Sequence, residues 1–73
     1  MVEHMIVRFM ESERYDPMRD RDVVRFMGIT PRGTFHVELP VYGPASLRTM
    51  RNAFKERVIG LLEEGQAPRE VVL

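Results

Sequence analysis

Residues 46–65 read SLRTMRNAFKERVIGLLEEG. Leu47, Met50, Phe54, Val58 and Leu61 recur at spacings of three and four, which places them on one side of an α-helix. The pattern predicts a helix over 45–64 that lays an apolar stripe on something else. Gly65 ends the periodic stretch and Pro68 prevents its return. At the start, either Gly43 caps with Pro44 in the first helical position, or Ser46 caps. Gly60 sits inside and costs about 1 kcal/mol relative to alanine.

What the helix covers lies upstream. In residues 22–42 two apolar runs flank Thr30-Pro31-Arg32-Gly33, a turn in which proline presets φ and glycine accepts a positive one. Phe35, Val37, Leu39 and Val41 alternate with Thr34, His36, Glu38 and Tyr42, the period of a half-buried strand. Pro40 cannot donate to a ladder, so this strand ends there or has a free side there. Residues 4–10 show the same alternation, with Met5, Val7 and Phe9 against His4, Ile6 and Arg8. Residues 69–73, REVVL, read as a last short strand. The expected architecture is α+β: a small antiparallel sheet in β-β-β-α-β order, with one amphipathic helix packed on one face. Its core would hold Val7, Phe9, Phe26, Phe35, Val37, Leu39, Val41, Leu47, Met50, Phe54, Val58, Leu61 and Val72. His36, Glu38, Tyr42 and Arg25 would lie on the uncovered side.

Residues 11–22, ESERYDPMRDRD, are dense in charge and contain an Asp16–Pro17 turn signal. They read as a polar loop free to be flexible, long for so small a domain. Met18 within it has no obvious place in a core.

The chain has 73 residues and reads as a single domain, 1–73. It has no cysteine, which removes disulfides and thiolate metal sites. No run approaches the roughly 18 apolar residues of a membrane span, and the first residues do not resemble a signal peptide. A cytoplasmic protein with no membrane association is expected. Eleven basic and eleven acidic residues cancel, but unevenly. Arg25, Arg32, Arg48, Arg51, Lys55 and Arg57 face only Glu38 and Glu56 in residues 23–57, and both flanks are net acidic. A nonspecific nucleic-acid binder carries a strong overall excess of cations. A local positive zone framed by acid suits a specific partner.

Arg48, Arg51 and Lys55 repeat along the flank of the helix, spanning about 60° beside the apolar stripe. They could meet phosphates or a carboxylate-rich protein surface. Ile59 and Leu62 lie in or beside the same sector, and an apolar pair among cations favours a protein contact over a phosphate track. The blander reading is a solvated flank whose long stems cover core edges. The candidate contact residues are Arg48, Arg51, Lys55 and Ile59, with Arg25 and Arg32 from the same positive zone. His36 and Glu38 could form an acid–base pair, but no nucleophile or pocket accompanies them. Asp16, Asp20 and Asp22 are interrupted by arginines and lack the glycine of a calcium loop. No phosphate-binding loop, nucleophile elbow or helix-turn-helix spacing is present. The chain therefore reads as no enzyme, with no catalytic residue, metal, cofactor or small-molecule substrate.

The stretch Glu38-Leu39-Pro40-Val41-Tyr42, followed by a long amphipathic helix, resembles the small RNA-polymerase inhibitors of T7-like bacteriophages. That family also runs strand–strand–helix–strand and has a Glu-apolar-Pro-apolar-Tyr stretch before its helix. The resemblance covers about residues 22–73, and its shared motif is short. This helix is basic where that family's is acidic, so no functional residue is carried over. The resemblance implies a phage-encoded protein that binds host RNA polymerase in the host cytoplasm and modulates or inhibits transcription. The expectation is thus a non-enzymatic, protein-binding regulator. The alternatives are a small nucleic-acid binder using the basic flank, and a structural or assembly protein pairing through sheet edges.

Overall fold

The computed structural model describes residues 6–73. Its elements run in the order β1 (Arg8–Asp16), β2 (Arg21–Thr30), β3 (Gly33–Pro40) and α1 (Pro44–Glu63). The strands form an antiparallel sheet in the order β1-β2-β3. The helix packs on one side of it, which is the expected α+β class.

The charged stretch 11–22 is not a loop. β1 runs through it to Asp16 and pairs with β2 without interruption, from Arg8 opposite Ile29 to Asp16 opposite Arg21. The expected strand over 4–10 therefore lies further along the chain, and its residues His4 and Met5 fall outside the described residues. Only Pro17–Asp20 connect the two strands. Asp16 Oδ1 accepts a hydrogen bond from the Met18 N–H at 3.1 Å, and the Tyr15 hydroxyl donates to Asp20 Oδ1. Asp20 has φ of 48°, a left-handed conformation that Asp and Asn tolerate better than most side chains. Charge misleads here because residues 11–15 are exposed on both sides. Apolar alternation arises only where one face of a strand is covered.

The β2–β3 turn forms as its sequence indicates. The Thr30 hydroxyl donates to the Gly33 carbonyl at 2.9 Å and accepts from the Arg32 N–H at 3.1 Å. Gly33 has φ of 139°, which a side chain would oppose. β3 ends at Pro40, and the Val41 N–H then donates to the Asp22 carbonyl at 2.9 Å.

The helix starts by the glycine–proline route rather than through Ser46. Gly43 precedes it, Pro44 stands in the first turn, no side chain caps it, and the Leu47 N–H donates to the Gly43 carbonyl at 3.0 Å. At the other end Gly65 takes φ of 73°. The Gly65 N–H reaches the Leu62 carbonyl at 3.0 Å and the Gln66 N–H reaches the Leu61 carbonyl at 2.9 Å. This pair of bonds satisfies carbonyls that a helix end leaves open.

Val24, Phe26, Phe35, Val37, Phe54, Val58, Leu61 and Val71 form the buried core. Phe54 is its centre: its ring stacks on Phe26 at 5.6 Å and meets Phe9 edge-on at 6.2 Å. Both arrangements are favoured for aromatic pairs. Gly28 lets the helix come close, since a Cβ there would stand 3.4 Å from both Phe9 and Val58. Val7, Phe9, Leu39, Val41, Leu47 and Met50 pack around this centre, half-buried. Val23, one residue before Val24 and so on the opposite side of β2, is buried as well.

The closing strand over 69–73 does not form. The tail runs parallel to β3 and makes one bridge, His36 to Glu70. The His36 N–H donates to the Arg69 carbonyl at 3.2 Å, and the Val71 N–H donates to the His36 carbonyl at 2.8 Å. Val71, 2% exposed, fills the core place expected for Val72, which is 82% exposed. Beyond Val71, Val72 is exposed and Leu73 only half-covered. That burial offsets little of the roughly 1–2 kcal/mol per residue of ordering them along the sheet edge.

Candidate functional site

The helix flank is built against β1. Arg51 Nη2 donates to Glu11 Oε2 at 2.9 Å, and Arg51 Nε donates to Glu11 Oε1. Both side chains are about one-third exposed. Planar guanidinium against planar carboxylate is the geometry in which such pairs are strongest. The hydrogen bond from Arg51 lowers the Glu11 pKa against the opposing effect of burial, and the charges of Arg51 and Lys55 add to the lowering. The same bond raises the Arg51 pKa. Lys55, one turn further along, holds its Nζ 5.6 Å from the centre of the Phe9 ring, a cation–π contact. Between helix and strand, Phe9, Glu11, Phe26, Arg51, Phe54 and Lys55 line a cleft of about 80 Å³. That space is far below the few hundred Å³ of a small-molecule site.

Of the three cations in the stripe, Arg51 is held in an ion pair, while Lys55 leans over Phe9 and stays exposed. Arg48 is exposed and forms no ion pair among the described residues. Ile59 is 49% exposed, whereas Leu62 turns half-buried against the core and does not join it outside. Arg48, Arg51, Lys55 and Ile59 make one strip along the helix. Arg25 and Arg32 are elsewhere. Arg25 lies on the far side of the sheet, with Nε 3.7 Å from Glu38 Oε2. Arg32 is exposed in the β2–β3 turn.

On that far side Glu38 joins two strands. Arg14 Nη2, reaching across β2, donates to Glu38 Oε1 at 2.6 Å, while Arg25 approaches the other oxygen. Alternation along β1 brings Arg8, Met10, Ser12 and Arg14 to the same face, opposite Ile29, Met27, Arg25 and Val23. His36 lines a shallow hollow there with Arg25, Met27 and Thr34. Glu11, Phe9 and Arg14 were not singled out as site residues. Reading residues 11–16 as a strand is the signal that points to Glu11 and Arg14; Phe9 already lies on the apolar side of the expected strand over 4–10. No cluster of three metal-ligating side chains occurs among the described residues. Asp16 and Asp20 instead hold the β1–β2 turn. No helix among the described residues is long and apolar enough to cross a membrane.

Compared with known proteins, the chain matches no family model, no curated protein and no solved structure.

Proposed function

We propose that this chain is a non-enzymatic protein-binding module that regulates its partner by occupying a surface. The contact is the helix strip of Arg48, Lys55 and Ile59. One observation carries the reading. Arg51 is committed to Glu11, so the outward strip presents two cations and an exposed isoleucine. That composition is sparse for a phosphate track and suited to an acidic protein surface with an apolar centre. Complementary charge would speed encounter, and Ile59 would supply desolvated contact area.

A bacterial RNA polymerase is the partner to test first. This choice rests on the resemblance at residues 38–42 and on the strand–strand–helix order. In that setting the protein works in the host cytoplasm, and its effect on transcription is steric or allosteric occlusion.

The experiment is a binding titration with purified polymerase. Retention at moderate salt, lost in Arg48→Glu/Lys55→Glu while circular dichroism stays unchanged, supports the reading. No retention removes polymerase as the partner. Titration with duplex DNA separates the nucleic-acid reading. Two cations give a log–log salt slope near −1.8. Tight duplex binding with a much steeper slope would overturn the protein-binding assignment.

A further inference from the structure

β1 is an edge strand of unusual regularity. Its pairing with β2 is continuous from Arg8 to Asp16, with no bulge. It contains no proline and no glycine. Among the described residues no other strand meets its outer edge, whereas the outer edge of β3 is bridged by the tail at His36. A long unpaired edge without bulge or proline is a template for another strand, while its charges, Arg8, Glu11, Glu13, Arg14 and Asp16, exclude any strand that does not match them.

The order of side chains along β1 selects the partner. Its sequence is RFMESERYD. An antiparallel second copy centred on Ser12 places Arg8 opposite the partner's Asp16, and Asp16 opposite the partner's Arg8. Phe9 then faces the partner's Tyr15 on the helix side, and Met10 lies along the stem of the partner's Arg14. Such opposite-charge and aromatic cross-strand pairs stabilise a sheet. Glu11 falls opposite the partner's Glu13, but Glu11 brings its own countercharge in Arg51. Moving the centre to Glu11 sets Arg8 against the partner's Arg14. Moving it to Glu13 sets Asp16 against Met10 and leaves Arg8 without a partner.

A second observation points to the same register. Met18 is 94% exposed and Ile6 is 82% exposed, two of the most exposed large apolar side chains among the described residues. Centring on Ser12 carries Ile6 of one copy to the partner's β1–β2 turn, where Met18 stands. We infer that β1 is a self-association edge, at which two copies join antiparallel about Ser12 into one six-stranded sheet with both helices on the same side. This inference is independent of the polymerase reading, because it involves a different edge and no second protein.

Sedimentation over a concentration series tests it. The wild-type mass should rise towards twice the monomer, and Arg8→Asp and Asp16→Arg should each stay monomeric. Mixed in equal amounts, those two variants should dimerise again, since an Asp/Asp copy and an Arg/Arg copy are complementary at both ends. The chain has no cysteine, so Ser12→Cys offers a readout that leaves the turn intact. Mild oxidation should cross-link Ser12→Cys at least tenfold faster than Met10→Cys, which sits four residues out of register. A wild type that stays monomeric at the highest concentration overturns the inference. So does equal cross-linking of the two cysteine variants.

Discussion

Glu11 and Arg51 lie 40 residues apart in sequence and meet through two hydrogen bonds that fasten α1 to the edge strand. Because both groups are partly exposed, the pair contributes at the scale of surface ion pairs rather than buried ones. Arg51→Ala and Glu11→Gln should each lower the urea-denaturation midpoint slightly. The double variant should lose less than the sum, which a double-mutant cycle reads directly. Arg51→Lys should not restore the coupling, because an ammonium cannot match the carboxylate with two donors.

The same pair gives the protein an acid-sensitive contact. The Glu11 pKa is lowered from its ordinary 4.5, chiefly by the Arg51 hydrogen bond. Its stabilisation is therefore fully present above pH 4.5 and disappears as pH falls through the lowered value. Thermal unfolding followed from neutral pH down to about pH 3 should show a smaller loss in Glu11→Gln than in wild type. Equal losses would mean that other carboxylates set the acid limb.

Val71 and Val72 are adjacent valines with opposite fates. Val71→Ala should cost about 2 kcal/mol, for lost burial and the cavity left behind. Val72→Ala should stay within about 0.5 kcal/mol of wild type, as exposed substitutions do. Comparing the two midpoints in chemical denaturation checks which valine enters the core.

Gly28 is held small by its neighbours. Gly28→Val would push a branched side chain into Phe9 and Val58, which already lie 3.4 Å from where a Cβ would stand. Overpacking of this kind costs about 1–3 kcal/mol. The expected result is a lower unfolding midpoint, with the Phe54 ring displaced from Phe9 in aromatic proton spectra.

The phenol of Tyr15 is pushed above its ordinary 10, mainly by its hydrogen bond to Asp20 and also by burial and the charges of Asp22 and Asp16. The folded state thus holds this proton more tightly. The associated stability is present below pH 10 and lost as pH rises through the raised value. In a Tyr42→Phe background, Asp20→Asn should move the phenolate absorbance midpoint down towards 10. Asn also accepts the left-handed backbone at this position. An unmoved midpoint would assign the shift to desolvation and the charges of Asp22 and Asp16 instead.

The helix and the β2–β3 hairpin were legible because each has one covered face. Phe54, Val58 and Leu61 recur with the helical period, and Phe35, Val37 and Leu39 with the strand period, since alternation records burial. β1 was not legible beyond Met10. From Glu11 to Tyr15 it is wet on both sides, and its place is fixed by backbone bonds to β2, which leave no mark on side-chain pattern. The sequence does not separate Val71 from Val72, because a short apolar run carries no phase and a one-residue slip exchanges inside for outside. The helical spacing of Arg48, Arg51 and Lys55 is legible, but the commitment of Arg51 to Glu11 is not. Only the fold brings together two residues from separate elements, and the charge pattern of residues 11–16 hides the strand that holds one of them.

The meander itself governs how the chain folds. Every strand pairs with its neighbour in sequence, so the sheet can zip outward from two short turns without closing any large loop. Loop-closure entropy grows with chain separation and slows folding when distant segments must meet early. Here the distant meetings, Arg51 with Glu11 and the tail with His36, are contacts that the pairing of the strands does not itself require. For chains whose five prolines are already trans, refolding on the millisecond scale or faster is the behaviour expected of such a topology.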